Sequence, residues 1–387
     1  MIDIAGNIFG GAKGGNTMKT LLIGTPITNL TGFFQRNNFG SAVRATNLVF
    51  AVAVSDLAVA RPTSPPSVKG DVIIVTTNVL NYFTTLTSKD KTARGADTPA
   101  EFTRQSTKIS LALAKLNADL FGVMEVENTN TGAEDLAAKV NSLNPLRNYT
   151  AVGKDEPKIG TDAIRSDFIY DTNTLELLEY KTLDDSNSLI SGLVSSQSDG
   201  VIFGKNGSAG KSRVPVAATF KRKKSADTFT AIVNHFKSKG SSCGSGDDDT
   251  QGAGPCNGKR LVTAKALVLW IESDAFFKSK NNVVIMGDLN SYANEAPVLQ
   301  LLSSGFSTPI DLNSAYSFQF DGESGTLDYA LFKGLAVVDS AIWHVDADEP
   351  NLLDYNLDFK KDALLFDSTS PYRFSDHDPV LLGLTFA

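Results

Sequence analysis

The chain has 387 residues, 42% apolar and 20% charged, which is enough to bury a large core and exceeds one minimal domain. Its 36 Lys and Arg stand against 43 Asp and Glu, a formal charge of -7. That balance argues against bulk electrostatic binding of nucleic acid, but not against a local basic groove or a carboxylate site neutralised by a divalent cation.

Residues 1–60 are rich in small and β-branched residues. Leu21–Thr25, Leu30–Phe34 and Leu48–Val54 read as short strands, and Gly10–Gly15 as flexible linker, because no Gly-Lys-Ser/Thr follows it. Met18-Lys19 precedes an apolar run too short for a standard signal peptide. Three prolines within Arg61–Gly70 mark an extended linker, and the domain boundary is placed there.

Beyond it, strands and helices alternate. Asp71–Leu80 reads as a buried strand, Glu101–Asn117 as a helix, Ala118–Asn128 as a strand and Gly132–Asn144 as a helix. Shorter strands follow at Arg165–Asp171, Val216–Arg222 and Phe229–Phe236. A long helix covers roughly Lys259–Phe277, then a strand Val283–Met286, then a helix near Glu295–Ser303. Leu327–Phe332, Val337–Val345 and Pro379–Phe386 close the series as strands. No apolar run is long enough to span a bilayer. Long apolar strands alternating with helices imply an α/β fold with two packed sheets and helices outside.

Cys243 and Cys256 flank a loop of Gly, Ser and Asp. A disulfide closing that loop is the natural reading, with an oxidising compartment as its corollary. Zinc is disfavoured, because no paired Cys/His spacing exists and the chain has 3 histidines. His344, beside Trp343, reads as structural. Asp247–Asp249 reads as a solvated loop, with a second cation, Ca²⁺, as its alternative.

Polar residues gather where strands end. Gly287 reads as a tight turn after Val283–Met286, followed by Asp288 and Asn290 on one side, as period-two alternation dictates. Asn78, Glu125, His235, Asp328 and the pair Asp376-His377 occupy other strand ends. Carboxylates and amides converging in this way need a cation, and oxygen donors suit Mg²⁺ or Mn²⁺ better than zinc.

Six segments carry a family resemblance: Thr76–Phe83 (TTNVLNYF), Gly122–Asn128 (GVMEVEN), Val233–Gly240 (VNHFKSKG), Met286–Tyr292 (MGDLNSY), Thr326–Phe332 (TLDYALF) and Ser375–Val380 (SDHDPV). Together, and in this order, they resemble the endonuclease/exonuclease/phosphatase superfamily over residues 71–387. The resemblance implies a four-layer α/β/β/α sandwich of two mixed sheets, here preceded by a small β-rich N-terminal segment, a shortened OB-like domain. Arg94–Gln105, Ser242–Arg260 and Trp343–Asn356 are similar to its secreted bacterial extracellular-nuclease branch.

Position by position, the resemblance implies Glu125 as principal metal ligand with Asn78 beside it. It implies Asp288 orienting the attacking water and Asn290 holding the scissile phosphate. His377, supported by Asp328, and His235 would be the proton-handling pair. Asp376 would be a further metal or His-orienting carboxylate, and Arg165 a phosphate-contacting cation. Arg94, Arg104, Arg213, Lys237 and Lys239 are candidates for a basic rim meeting the substrate. The expectation is a secreted, monomeric, metal-dependent nuclease acting on DNA, with RNA as a further substrate. Its rivals are a phosphodiesterase or phosphatase acting on a lipid or inositol phosphate, and a catalytically inactive binding module. The inositol branch would want a Trp-x-Gly-Asp-x-Asn start, where this chain has Ile285-Met286-Gly287-Asp288.

Overall fold

The computed structural model describes residues 31–37, 40–47, 62–204, 211–249, 252–320, 323–335, 337–356 and 369–386. The strands expected at Leu21–Thr25 and Leu48–Val54 lie outside them, as does the glycine-rich Gly10–Gly15. Ahead of the expected linker, β1 (Thr31–Asn37) and β2 (Gly40–Asn47) form an antiparallel ribbon.

The remaining elements run β3 (Val72–Tyr82), α1 (Pro99–Leu116), β4 (Leu120–Glu127), α2 (Gly132–Leu143), β5 (Tyr149–Ala151), β6 (Ile164–Asp171), β7 (Leu175–Thr182) and α3 (Ser191–Ser195). They continue with β8 (Val216–Arg222), β9 (Thr228–His235), α4 (Asn257–Ser273), β10 (Val283–Asp288), α5 (Ala296–Ser303), β11 (Phe318–Phe320), β12 (Glu323–Gly325), β13 (Asp328–Lys333), β14 (Val337–Ile342) and β15 (Val380–Thr385). One sheet has six strands, ordered β14-β15-β3-β4-β6-β5, and the other five, ordered β13-β10-β9-β8-β7. Both are mixed: β3 and β4 pair in parallel, as do β9 and β10, and the other pairs are antiparallel.

The sheets meet face to face. Gly122 of β4 faces the other sheet closely: a Cβ there would come within 2.9 Å of the Met286 methyl and 3.2 Å of Val233. The next residues on β4, Phe121 and Val123, face the opposite way and pack with Ile109, Leu113, Leu136 and Val140 of α1 and α2. On the far side, Ala264, Leu267 and Trp270 of α4 and Val298 and Leu301 of α5 join the core of the five-stranded sheet. The result is the expected α/β/β/α layering.

Local chemistry sets the boundaries. α1 starts at a reciprocal cap between Thr98 and Glu101 with Pro99 in its first turn, and stops at Asn117 in a left-handed conformation. α4 ends at Ser273, short of the expected Phe277, where Asp274 caps a separate turn, Ala275–Phe277. The period-two reading passed over β7, Leu175–Thr182, which sits at a sheet edge and whose adjacent Leu177 and Leu178 break the alternation. β14 ends at Ile342, which leaves Trp343 and His344 beyond the strand. No helix among the described residues is long and apolar enough to cross a membrane.

Candidate active site

Both sheets deliver polar side chains to one place. Gly287 is no turn: β10 runs through it to Asp288. Its φ of 131° and a Cβ position 2.0 Å from the Asn234 carbonyl admit only glycine, so β9 and β10 close up beside Asp288. Asn290 then adopts a left-handed conformation (φ 47°), and its N–H donates to Asp288 Oδ1 at 2.8 Å. The two side chains are brought together by this turn and not by strand alternation. Asn290 Nδ2 donates to Phe236 O at 3.1 Å and to Asp288 Oδ2 at 3.2 Å. Both amide protons are thus engaged, and contact with a phosphate needs one of them to swing away.

Glu125 comes from the six-stranded sheet. It does not end β4; it sits in an irregularity of the β4–β6 pairing between Val123 and Val126, with φ 65°. Such bulges re-aim a side chain next to a site, and a non-glycine residue held there stores strain. Its carboxylate accepts from the Asn81 N–H at 3.1 Å, and Asn81 is itself left-handed. Burial, then the Asp376 charge, push the Glu125 carboxyl up, against Arg213, Asn78 and His377. Asn78 links the sheets, reaching Asp288 Oδ2 at 3.5 Å while accepting from the Leu80 N–H at 3.0 Å.

Asp288 lies between two histidines. His235 Nε2 is 3.5 Å from its Oδ2, and 3.8 Å from Glu125 Oε1. His377 Nε2 is 3.9 Å from the same Oδ2. Burial first, then the charges of Asp328 and Glu125, raise the Asp288 carboxyl to about 7, although His377 and the Asn290 N–H work to lower it. His377 shares its Nδ1 proton with Asp328 Oδ2 at 2.7 Å. Burial would lower His377, but Asp328, Asp288 and Asp376 outweigh it and hold the imidazole well above its ordinary value, protonated at neutral pH. His235 is depressed by burial and by Arg213, His377, Lys237 and Arg94. Arg213 Nη1 stands 3.3 Å from His235 Nε2, and arginine can only donate, so Nε2 is the acceptor in that contact.

The basic residues divide. Arg94 and Arg213 both face Asp162, at 2.9 and 3.3 Å, beside His235. Lys237 donates to Ser238 and Ser241, Lys239 to Glu295 and the Ala253 carbonyl, and Arg104 to the Tyr355 carbonyl. Arg165 departs from expectation. Its side chain is fully buried, held at 2.6 Å by Asp167 and donating to the carbonyls of Gly153 and Glu156. Arg165 is an internal brace of the 153–156 turn with no donor at the surface, and its expected phosphate contact does not fit this geometry.

Cys243 and Cys256 are disulfide-bonded. Asp248 does not offer a second cation site: Oδ1 accepts from both cysteine N–H groups and Oδ2 from Ser242. His344 Nδ1 donates to Asp378 Oδ2 at 2.9 Å, and the ring stacks on Tyr316. Two contributors carry no sequence signal. Ser317 donates to Asp328 Oδ2 at 2.7 Å and accepts from the Asp328 and Leu327 N–H groups, and Phe318 lies on the His377 ring at 4.5 Å.

The oxygen donors suit a hard divalent cation. Among the described residues, Asp288, Asp328 and His377 group most tightly, their ligand atoms within 4.8 Å of one another. Asp328 and His377, however, already bond each other. Glu125, whose carboxyl burial and the Asp376 charge push up, has among the described residues only the Asn81 N–H, Asn78 and the longer His235 contact at its oxygens, and a cation there would favour its charged form.

The Endonuclease/Exonuclease/phosphatase family matches residues 75–377. No curated protein matches the chain. Among solved structures, an endonuclease/exonuclease/phosphatase from Bacteroides vulgatus is similar at 15% identity, covering 82% of this chain and 100% of that chain with a TM-score of 0.49. The human Nocturnin catalytic domain with bound sulfate is similar at 14% identity (81% and 94% covered, TM-score 0.47). D. rerio TDP2 complexed with single strand DNA product is similar at 11% identity (80% and 97% covered, TM-score 0.45).

Proposed function

Starting from the fact that the chain belongs to the endonuclease/exonuclease/phosphatase family, we propose that it is a secreted, monomeric, divalent-metal-dependent nuclease that hydrolyses phosphodiester bonds of DNA with little sequence preference. Residues 71–387 are its catalytic domain, behind a small β-rich N-terminal segment. One observation carries the reading: a buried carboxylate, Asp288, between one protonated and one neutral histidine, beside a pair of arginines.

Hydrolysis of a phosphodiester needs a proton taken from water, a proton given to the leaving oxygen, and charge stabilisation on phosphorus. Asp288, with a carboxyl near 7, accepts the water proton. His377, held protonated by Asp328, is the donor. His235 stays neutral beside Arg213 and orients rather than protonates. Arg213 and Arg94 meet phosphate oxygens at the rim. Glu125, Asn78 and Asp376 are the residues that would hold Mg²⁺ or Mn²⁺, and the cation would supply further charge neutralisation on the phosphate. The disulfide supports an oxidising, extracellular setting.

The test is incubation with supercoiled plasmid and Mg²⁺ or Mn²⁺, with and without EDTA, beside sphingomyelin and p-nitrophenyl phosphate controls. Nicking that EDTA abolishes is expected. Cleavage of the lipid or the monoester with the plasmid intact would reassign the substrate, and no hydrolysis of any of them would favour a binding module.

A further inference from the structure

Arg260, in the first turn of α4, is fully buried and takes no part in the chemistry above. Its Nε donates to Ser291 Oγ at 3.1 Å. Nη1 donates to Lys237 O at 3.2 Å and Pro255 O at 2.8 Å, and Nη2 to Ala253 O at 3.1 Å. Glu295 stands 3.8 Å away. The acceptors come from three segments: the chain just after His235, the chain just after Asn290, and the disulfide-closed loop.

The first two segments already touch one step closer to the centre. The Phe236 N–H donates to Asp288 O, and Asn290 Nδ2 to Phe236 O. Arg260 is the next tie outward. Ser291 passes the connection on, since its carbonyl accepts from the Tyr329 hydroxyl at 2.8 Å, and Tyr329 follows Asp328. The third segment backs the other two. Asp248 clamps the N–H groups of both cysteines, and Ala253 O also takes Lys239 Nζ.

We propose that Arg260 is a positioning residue: its guanidinium sets the separation between the strand ends bearing His235 and Asn290, with the disulfide loop as abutment. A planar fork of donors can span three segments, whereas a lysine ammonium presents its three protons from a single point. The adjacent Lys259 gives the contrast. It is equally buried, but its Nζ holds Asp199 and Val201 O, on a segment without catalytic residues.

The test uses the full chain and its 3 histidines as reporters. In proton–carbon NMR of the metal-free protein, Arg260→Lys is expected to shift the His235 signal and leave His344 in place, and Lys259→Met to shift neither. An unmoved His235 in Arg260→Lys, or an equal shift in Lys259→Met, overturns the proposal. Should Arg260→Lys fail to fold, Ser291→Ala, which removes one acceptor only, decides: a smaller shift of His235 supports the assignment and none overturns it. The kinetic arm rests on the phosphodiesterase reading. Arg260→Lys should lower kcat roughly 10- to 100-fold at constant KM, and lower it no further in an Asn290→Ala background. Independent, multiplying losses would overturn the proposal. A wild type without diesterase activity sinks the functional reading, while the NMR arm still decides Arg260.

Discussion

The two histidines of the site are the same side chain, equally buried, on either side of Asp288, and they are driven in opposite directions. His377 has three carboxylates around it and a short bond to Asp328. His235 has Arg213, Lys237 and Arg94 around it, and among the described residues its Nδ1 finds no hydrogen-bond partner. Burial lowers both, so the neighbouring charges alone separate an acid from a neutral acceptor. The polarity of the site is therefore written in residues that need not touch the substrate.

Removing the acidic bank should have the largest effect. His377→Ala and Asp288→Asn should each lower kcat for plasmid nicking by about 10²–10⁴, the range for positioned proton transfer. His235→Ala should cost less, because a neutral ring beside an arginine orients rather than delivers a proton. Equal losses at the two histidines, measured at saturating Mg²⁺, would erase the comparison.

Changing the neighbours, and not the histidines, should sharpen it. In the proposed mechanism His377 acts protonated, so activity should fall as pH rises through its raised value. Asp288 and His235 act unprotonated, so activity should fall as pH drops through about 7 for Asp288, and lower for His235. Asp328→Asn removes a charge that raises both His377 and Asp288, so the alkaline limb should move down and the acid limb with it. Arg213→Gln removes a charge that lowers His235, so that ring takes up its proton at a higher pH, and any limb movement should be upward on the acid side. An alkaline limb that stays in place in Asp328→Asn, or an acid limb that moves down in Arg213→Gln, would overturn these assignments.

Arg165 tests which cations belong to the site at all. Arg165→Met strands the Asp167 carboxylate, whose group burial already pushes up, in the interior. Thermal and urea unfolding should show a loss of about 3–5 kcal/mol, the cost of breaking a buried pair, with partial recovery in Arg165→Met/Asp167→Asn. A soluble variant of wild-type stability but weakened DNA binding would restore Arg165 to the substrate surface.

These residues also mark what the sequence made legible. Asp288, Asn290, Glu125 and His377 were visible because six short segments in a fixed order are specific even though each alone is not. What stayed hidden is non-local or conformational. Glu125 is aimed by a bulge that no period-two pattern encodes. Asn290 reaches Asp288 through a left-handed turn. Ser317 and Asp162 act because distant segments fold onto them, from positions 11 and 51 residues away from Asp328 and Arg213. Arg165 misled because a lone arginine in a sequence does not say whether it faces water; the acid two residues on, Asp167, was the signal that it does not.

The smallest effect concerns the rim. Arg94 is partly exposed and Arg213 mostly buried, and both lean on Asp162, whose carboxyl they hold below its usual value against the effect of burial. A pair of arginines sharing one carboxylate carries a net positive charge, which can meet a phosphate without a basic surface elsewhere. Each phosphate contact adds about 0.9 to the slope of log affinity against log salt on duplex DNA. Arg94→Gln should therefore flatten that slope by about one unit, measured in the Asp288→Asn background with EDTA present to suppress cleavage. Arg104→Gln, whose side chain is held against the Tyr355 carbonyl and near Glu101, should change it less. Asp162→Asn should act in the opposite sense, because it frees both arginines for the substrate and steepens the slope. If Arg94→Gln leaves the slope unchanged while Arg104→Gln flattens it, the nucleic acid runs across α1 rather than beside His235, and the basic bank serves only to keep that histidine neutral.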